Sequence, residues 1–235
     1  MCIDAVISAM SNHRTDAEAA EQACWVILYV ASLDVATSEL IGSRGGVKAI
    51  VQSLLAHGPH EGVQGQGAWA LANLVQGCSA NAARVMDEGG CNALIGAMKS
   101  HMGSLGIQAK ACRAMCRLAK GDDRACKQIR ERGGVDTVMS AMRAHKGSGT
   151  VQQEGTDFLK AMANEFMRTM GMDVHNAGSR AVDHSIGPVY SLPPSQNATP
   201  APSQHGTPAS TQNGTPSQRA KGGEGGGKRA LVYSS

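Results

Sequence analysis

Four cations form the densest chemistry in the chain: Lys110, Arg113, Arg117 and Lys120, spaced three, four and three residues apart. On a helix that spacing makes one continuous stripe, where like charges cost roughly 0.2–0.5 kcal/mol per pair. An anion that offsets this cost is expected. Arginine suits carboxylate or phosphate, because its planar fork pairs with two oxygens at once. Glu154 and Asp157, further along, offer two internal alternatives: ion pairs with Arg113 and Arg117 across neighbouring helices, or a face that is simply solvated.

Aromatic and amide side chains add a second chemistry. Trp69 and Asn73 lie one helical turn apart, off the apolar face set by Val63, Ala70, Leu71 and Leu74. Such residues suit the gripping of another chain, and Trp69 is expected to be exposed on a binding face, with burial in the core as the alternative. Gly67, within the apolar set, marks a close backbone approach. His13, His57, His101 and His145 resemble a cluster but are one position met four times, about 10 Å apart if helices stack. That is too far for shared ligation, so a helix-end role is expected. Cys112 and Cys116 fall among apolar neighbours and read as packing. No metal or cofactor is expected. With no nucleophile elbow, phosphate loop or His-Glu-x-x-His in the sequence, neither is an enzyme.

A repeat positions these residues. The Trp69 place is Trp25 one period of 44 residues earlier, Arg113 one period later and Asp157 two periods later. Apolar helical faces recur in phase, as Ala23, Ile27 and Val30, then Gly67, Leu71 and Leu74, then Ala111, Met115 and Leu118, then Gly155, Leu159 and Met162. A second helix precedes each, with apolar sets opening at Ile3, Val47, Cys91 and Val135. Gly-Gly pairs at 45–46, 89–90 and 133–134 fit sharp turns with positive φ. Short helices are expected at about Ser79 to Glu88 and Asp123 to Arg132.

The reading is all-α, a right-handed α-solenoid of four repeats at 1–44, 45–88, 89–132 and 133–175. A disordered tail rich in Ser, Thr, Pro, Gly and Gln follows over 176–235, with octapeptide repeats across 195–218 that place Thr199, Thr207 and Thr215 before proline. The first repeat begins at its second helix. An exposed apolar edge at Ile3, Val6, Ile7 and Met10 is therefore expected, open to self-association, unless the chain is a fragment of a larger protein.

Composition sets the remaining bounds. Residues 1 to 176 hold 17 Lys/Arg and 17 Asp/Glu, so the repeats are neutral and nucleic-acid binding is not expected. No apolar run of about 18 residues and no secretory leader is found, so no membrane contact is expected and a cytoplasmic or nuclear setting is. The seven cysteines then read as reduced thiols.

With the Gly-Gly turns, the apolar second helices and the run Gln66-Gly-Ala-Trp-Ala-Leu-Ala-Asn-Leu74 laid out, residues 1 to about 170 resemble the armadillo-repeat family. The resemblance implies a concave groove lined by the third helices. In the importin-alpha branch it implies that a Trp stacks on an extended peptide while an Asn four residues later bonds its backbone. Only Trp69 and Asn73 keep that pair. The implied peptide site is Trp25, Tyr29, Gln66, Trp69, Asn73, Lys110, Arg113, Arg117, Lys120, Glu154 and Asp157. The expected function is a non-catalytic scaffold or adaptor for a partly acidic or phosphorylated peptide. A nuclear transport adaptor is the alternative.

Overall fold

The computed structural model describes residues 2–120 and 122–171, and the tail with its octapeptide repeats lies outside them. Among the described residues there are eleven helices and no strand. Helices α1 (Cys2–Asn12), α4 (Gly46–Ala56), α7 (Gly90–Ser100) and α10 (Gly134–Ala144) form one row. A second row holds α2 (Ala17–Ala31), α5 (Glu61–Val75), α8 (Leu105–Ala119) and α11 (Gly149–Thr169). Short α3 (Val35–Ser43), α6 (Ser79–Asp87) and α9 (Asp123–Glu131) link successive units. The described residues form an all-α solenoid of armadillo type. Sequence placed α6 and α9; it did not single out α3, which Asp34 caps by accepting from the Thr37 amide at 2.6 Å.

The core runs between the two rows. Leu71, Leu74, Leu94, Met98, Met115 and Leu118 are fully buried, so the two apolar periodicities meet across the layer. Gly67 is required there: a Cβ on it would stand 2.7 Å from Leu54 Cδ2. Each Gly-Gly turn uses its two glycines differently. Gly89 has φ +79, while a Cβ on Gly90 would stand 2.4 Å from Val85 Cγ1.

The expected apolar edge at the first helix is buried at its two ends and partly buried between them. Ile3 and Met10 are buried, and Val6 and Ile7 pack against the core. The reason is direction: α1 turns this face toward α2 and α4, against which it packs.

Candidate functional site

The second row sets the candidate residues side by side, and several of them reach across to the adjoining helix. Trp69 on α5 receives Lys110 of α8, whose Nζ stands 4.9 Å from the ring centroid. Arg113 on α8 forms an ion pair with Glu154 of α11, its Nε donating to Oε1 at 2.8 Å. Trp25 and Tyr29 stay together on α2, edge to face with centroids 4.3 Å apart. Trp25 is 44% exposed. Burial pulls the Lys110 ammonium below its ordinary value, and the Glu21 carboxylate partly counters that.

These contacts divide the cationic stripe. Lys110 and Arg117 turn back toward α5, while Arg113 turns forward to α11. Arg117 Nη1 donates to Ala72 O at 2.7 Å and to Asn73 Oδ1 at 3.2 Å. Of the internal pairing anticipated from sequence, Arg113 meets Glu154, and Asp157 accepts from Gln153 at 3.0 Å. The like-charge cost is thus offset within the fold, by a ring, a carboxylate and a carbonyl.

Asn73 and Trp69 are less open than the sequence suggested. Asn73 is 5% exposed and its Nδ2 points to Leu28 O at 3.5 Å. Both ends of the amide already have protein partners. Trp69 is half-buried, packed against the core on one side and covered by Lys110 on the other. The open members of the set are Trp25 at one end and Lys120 beyond the end of α8.

Lys120 and Arg117 share an open cavity of about 650 Å³, where the end of α8 meets the α5–α6 turn. Gln76, Cys78, Ser79 and Asp122 also line it. Asp122 is committed to its own helix, accepting from the Arg124 and Ala125 amides at 2.9 and 3.1 Å. Helix α6 has Cys78 at its N-cap, without a side-chain hydrogen bond, where α3 and α9 have Asp34 and Asp122. Two cations and the amide end of a helix therefore border a space that no carboxylate of the α6 cap fills.

Polar residues that sequence reading passed over hold the row in place. Gln64 donates to Leu54 O at 2.8 Å and His57 O at 3.0 Å; Gln108 donates to Met98 O and His101 O, both at 2.9 Å. Gln152 repeats the clamp on Met142 O and His145 O. Their 44-residue spacing was the available signal. His57, His101 and His145 cap the C-termini of α4, α7 and α10. Beyond this helix-end role, His101 Nε2 bonds Gly58 O at 2.7 Å and His145 Nε2 bonds Met102 O at 2.6 Å, each reaching the preceding unit.

Cys112 and Cys116 are buried packing residues, and burial pushes the Cys112 thiol up to about 12. Among the described residues no three His, Cys, Asp or Glu converge on a common point, and no helix is long and apolar enough to cross a membrane.

Comparison with known proteins now bears on this face. A family model described as the LRRK2 ARM repeat matches residues 1–186. No curated protein matches. Two engineered proteins solved by the Northeast Structural Genomics Consortium are similar in structure, with TM-scores of 0.61 and 0.60 and identities of 25% and 22%. They cover 69% and 72% of this chain, which in turn spans 63% and 69% of theirs. A designed armadillo repeat protein in complex with the peptide (KR)4 has a TM-score of 0.59 at 19% identity, covering 68% of this chain and 64% of its own.

Proposed function

Because the chain belongs to the LRRK2 ARM repeat family, we propose that it is a non-catalytic scaffold holding an extended, partly acidic segment of another protein along α2, α5, α8 and α11. The cavity at the end of α8 carries this reading. Arg117 and Lys120 line it beside the uncapped first turn of α6, so a carboxylate or phosphate entering there meets two cations and a helix amide end. The designed armadillo protein with a bound peptide supports the use of such a scaffold for extended segments. A cytosolic or nuclear setting belongs to the same reading, since the buried thiols pack as small hydrophobes and suit a reducing compartment.

The test is a fluorescence anisotropy titration of the full chain with a labelled acidic octapeptide, with (KR)4 as the charge-reversed control. Lys120→Glu is the informative variant, because it alters an exposed residue. Arg113→Glu or Arg117→Glu would also break contacts between helices. The acidic peptide is expected to bind in preference to (KR)4, and to lose about fivefold to tenfold in affinity with Lys120→Glu. Equal binding of both peptides, or an unchanged affinity in the variant, contradicts the reading.

A further inference from the structure

Among the described residues, helices α10 and α11 leave open the face that each earlier unit hides under its successor. Val51 is 1% and Ile95 4% exposed, whereas Met139, which takes their place in α10, is 41% exposed. The same holds in α11, where Leu159 and Met162 are only partly buried although Leu71, Leu74, Met115 and Leu118 are fully buried at the equivalent positions.

The hidden contact has a repeated form. Val51 Cγ2 lies 3.5 Å from the point where a Cβ on Gly90 would stand, and Ile95 Cδ1 lies 3.2 Å from that point on Gly134. In each case a glycine 39 residues later receives the side chain. The residue 39 after Met139 is Gly178. Beyond it the register continues: Ala181 matches Ala49 and Ala93, Val182 matches Ile50 and Leu94, and Ile186 matches Leu54 and Met98, all at multiples of 44. Helices α4 and α7 bury every one of those counterparts. Asp183 departs from the pattern at one place, that of Val51, Ile95 and Met139, whose side chain meets the next unit. A carboxylate there suits a last element, with a polar outer face. The family-model match also ends at residue 186, the last apolar position of the set.

We propose that residues 178–186 of this chain cover the open edge as a fifth member of the first row, with Gly178 against Met139, Val182 and Ile186 over Leu159 and Met162, and Asp183 closing the stack. The connection is long enough. Helix α11 runs for 21 residues where α8 has 15, and so passes through the stretch where a further short helix would start. Gly171 then turns with φ +69, as Gly45, Gly89 and Gly133 turn into α4, α7 and α10 with φ +89, +79 and +73. The chain from Gly171 to Gly178 spans up to about 23 Å at roughly 3.3 Å per residue, against about 8–10 Å between packed helices. The repeat array therefore extends past residue 175, and the tail follows it.

The test is maleimide labelling of the full chain at position 139, read peptide by peptide by mass spectrometry. In Met139→Cys the new thiol is expected to react about tenfold more slowly than that of Gln153→Cys, an exposed site in the same unit. Adding Val182→Asp and Ile186→Asp, which removes the apolar side of the segment, is expected to restore the rate of the exposed site. A thiol at 139 that reacts at that rate in the otherwise unaltered chain overturns the proposal. So does a slow rate that the two aspartates leave unchanged. A slow rate that rises on dilution assigns the edge to a second copy of the chain, and overturns it as well. No peptide ligand enters the measurement, so its outcome is independent of the acidic reading.

Discussion

At the scale of single residues, the polar groups that look exposed in the sequence turn out to be the joints of the fold. Asn73 and Arg117 bond each other across helices, and Gln64, Gln108 and Gln152 each hold two carbonyls at the end of the preceding helix. Removing such a donor leaves buried carbonyls without a partner, which costs about 1–3 kcal/mol each. Gln108→Leu is therefore expected to lose about 2–4 kcal/mol in urea unfolding, while the exposed Gln153→Ala changes stability by less than about 0.5 kcal/mol. Similar losses for both would remove the clamp from the account. At the turn, Gly89→Ala forces an ordinary residue to φ +79 and is expected to cost about 1–2 kcal/mol by the same measurement.

At the scale of elements, the amide ends of the short helices separate structure from binding. Asp34 and Asp122 close α3 and α9, and α6 is left with Cys78. Cys78→Asp is expected to raise stability by about 1 kcal/mol through the new cap and to weaken the acidic octapeptide, because the carboxylate occupies the cavity beside Arg117 and Lys120. A gain in stability with unchanged peptide affinity would detach the cavity from the binding face. The helices themselves were legible: apolar positions at helical spacing located both rows, and the Gly-Gly pairs located the turns. What sequence left open was the partner of each polar residue. A side chain on a helix flank faces solvent or a neighbouring helix with the same spacing, and Lys110, Arg113 and Arg117 chose neighbours in two opposite directions. The edge at Ile3 and Met10 was misjudged for a related reason, since periodicity gives an apolar face but not the direction in which it turns.

At the scale of the whole molecule, stability is the sum of contacts between successive units, and both ends of the pH range draw on it. The Thr37 amide holds the Asp34 carboxyl below its ordinary 3.8. A depressed carboxylate contributes above its unfolded value, and the contribution is lost as pH falls through the lower folded value. Burial pushes the Cys24 and Cys112 thiols from 9.0 up to about 12, and Cys91 to about 11. These raised groups favour the folded state fully below pH 9.0, and that advantage declines as pH rises from there toward 12. Urea unfolding across a pH series should show a plateau with a fall below about pH 4 and a second fall above about pH 9. Alkaline stability that holds level to pH 11 would mean the thiols are not buried as described.

The most direct measurement is amide hydrogen exchange of the full chain with and without the acidic octapeptide. Slowed exchange in α5, in the last turn of α8 and in the first turn of α6 is the predicted result, because those elements border the cavity and the row beside it. Slowing confined to α1, α4 and α7, on the opposite row around Met10 and Leu55, would place the ligand on the wrong face and contradict the account.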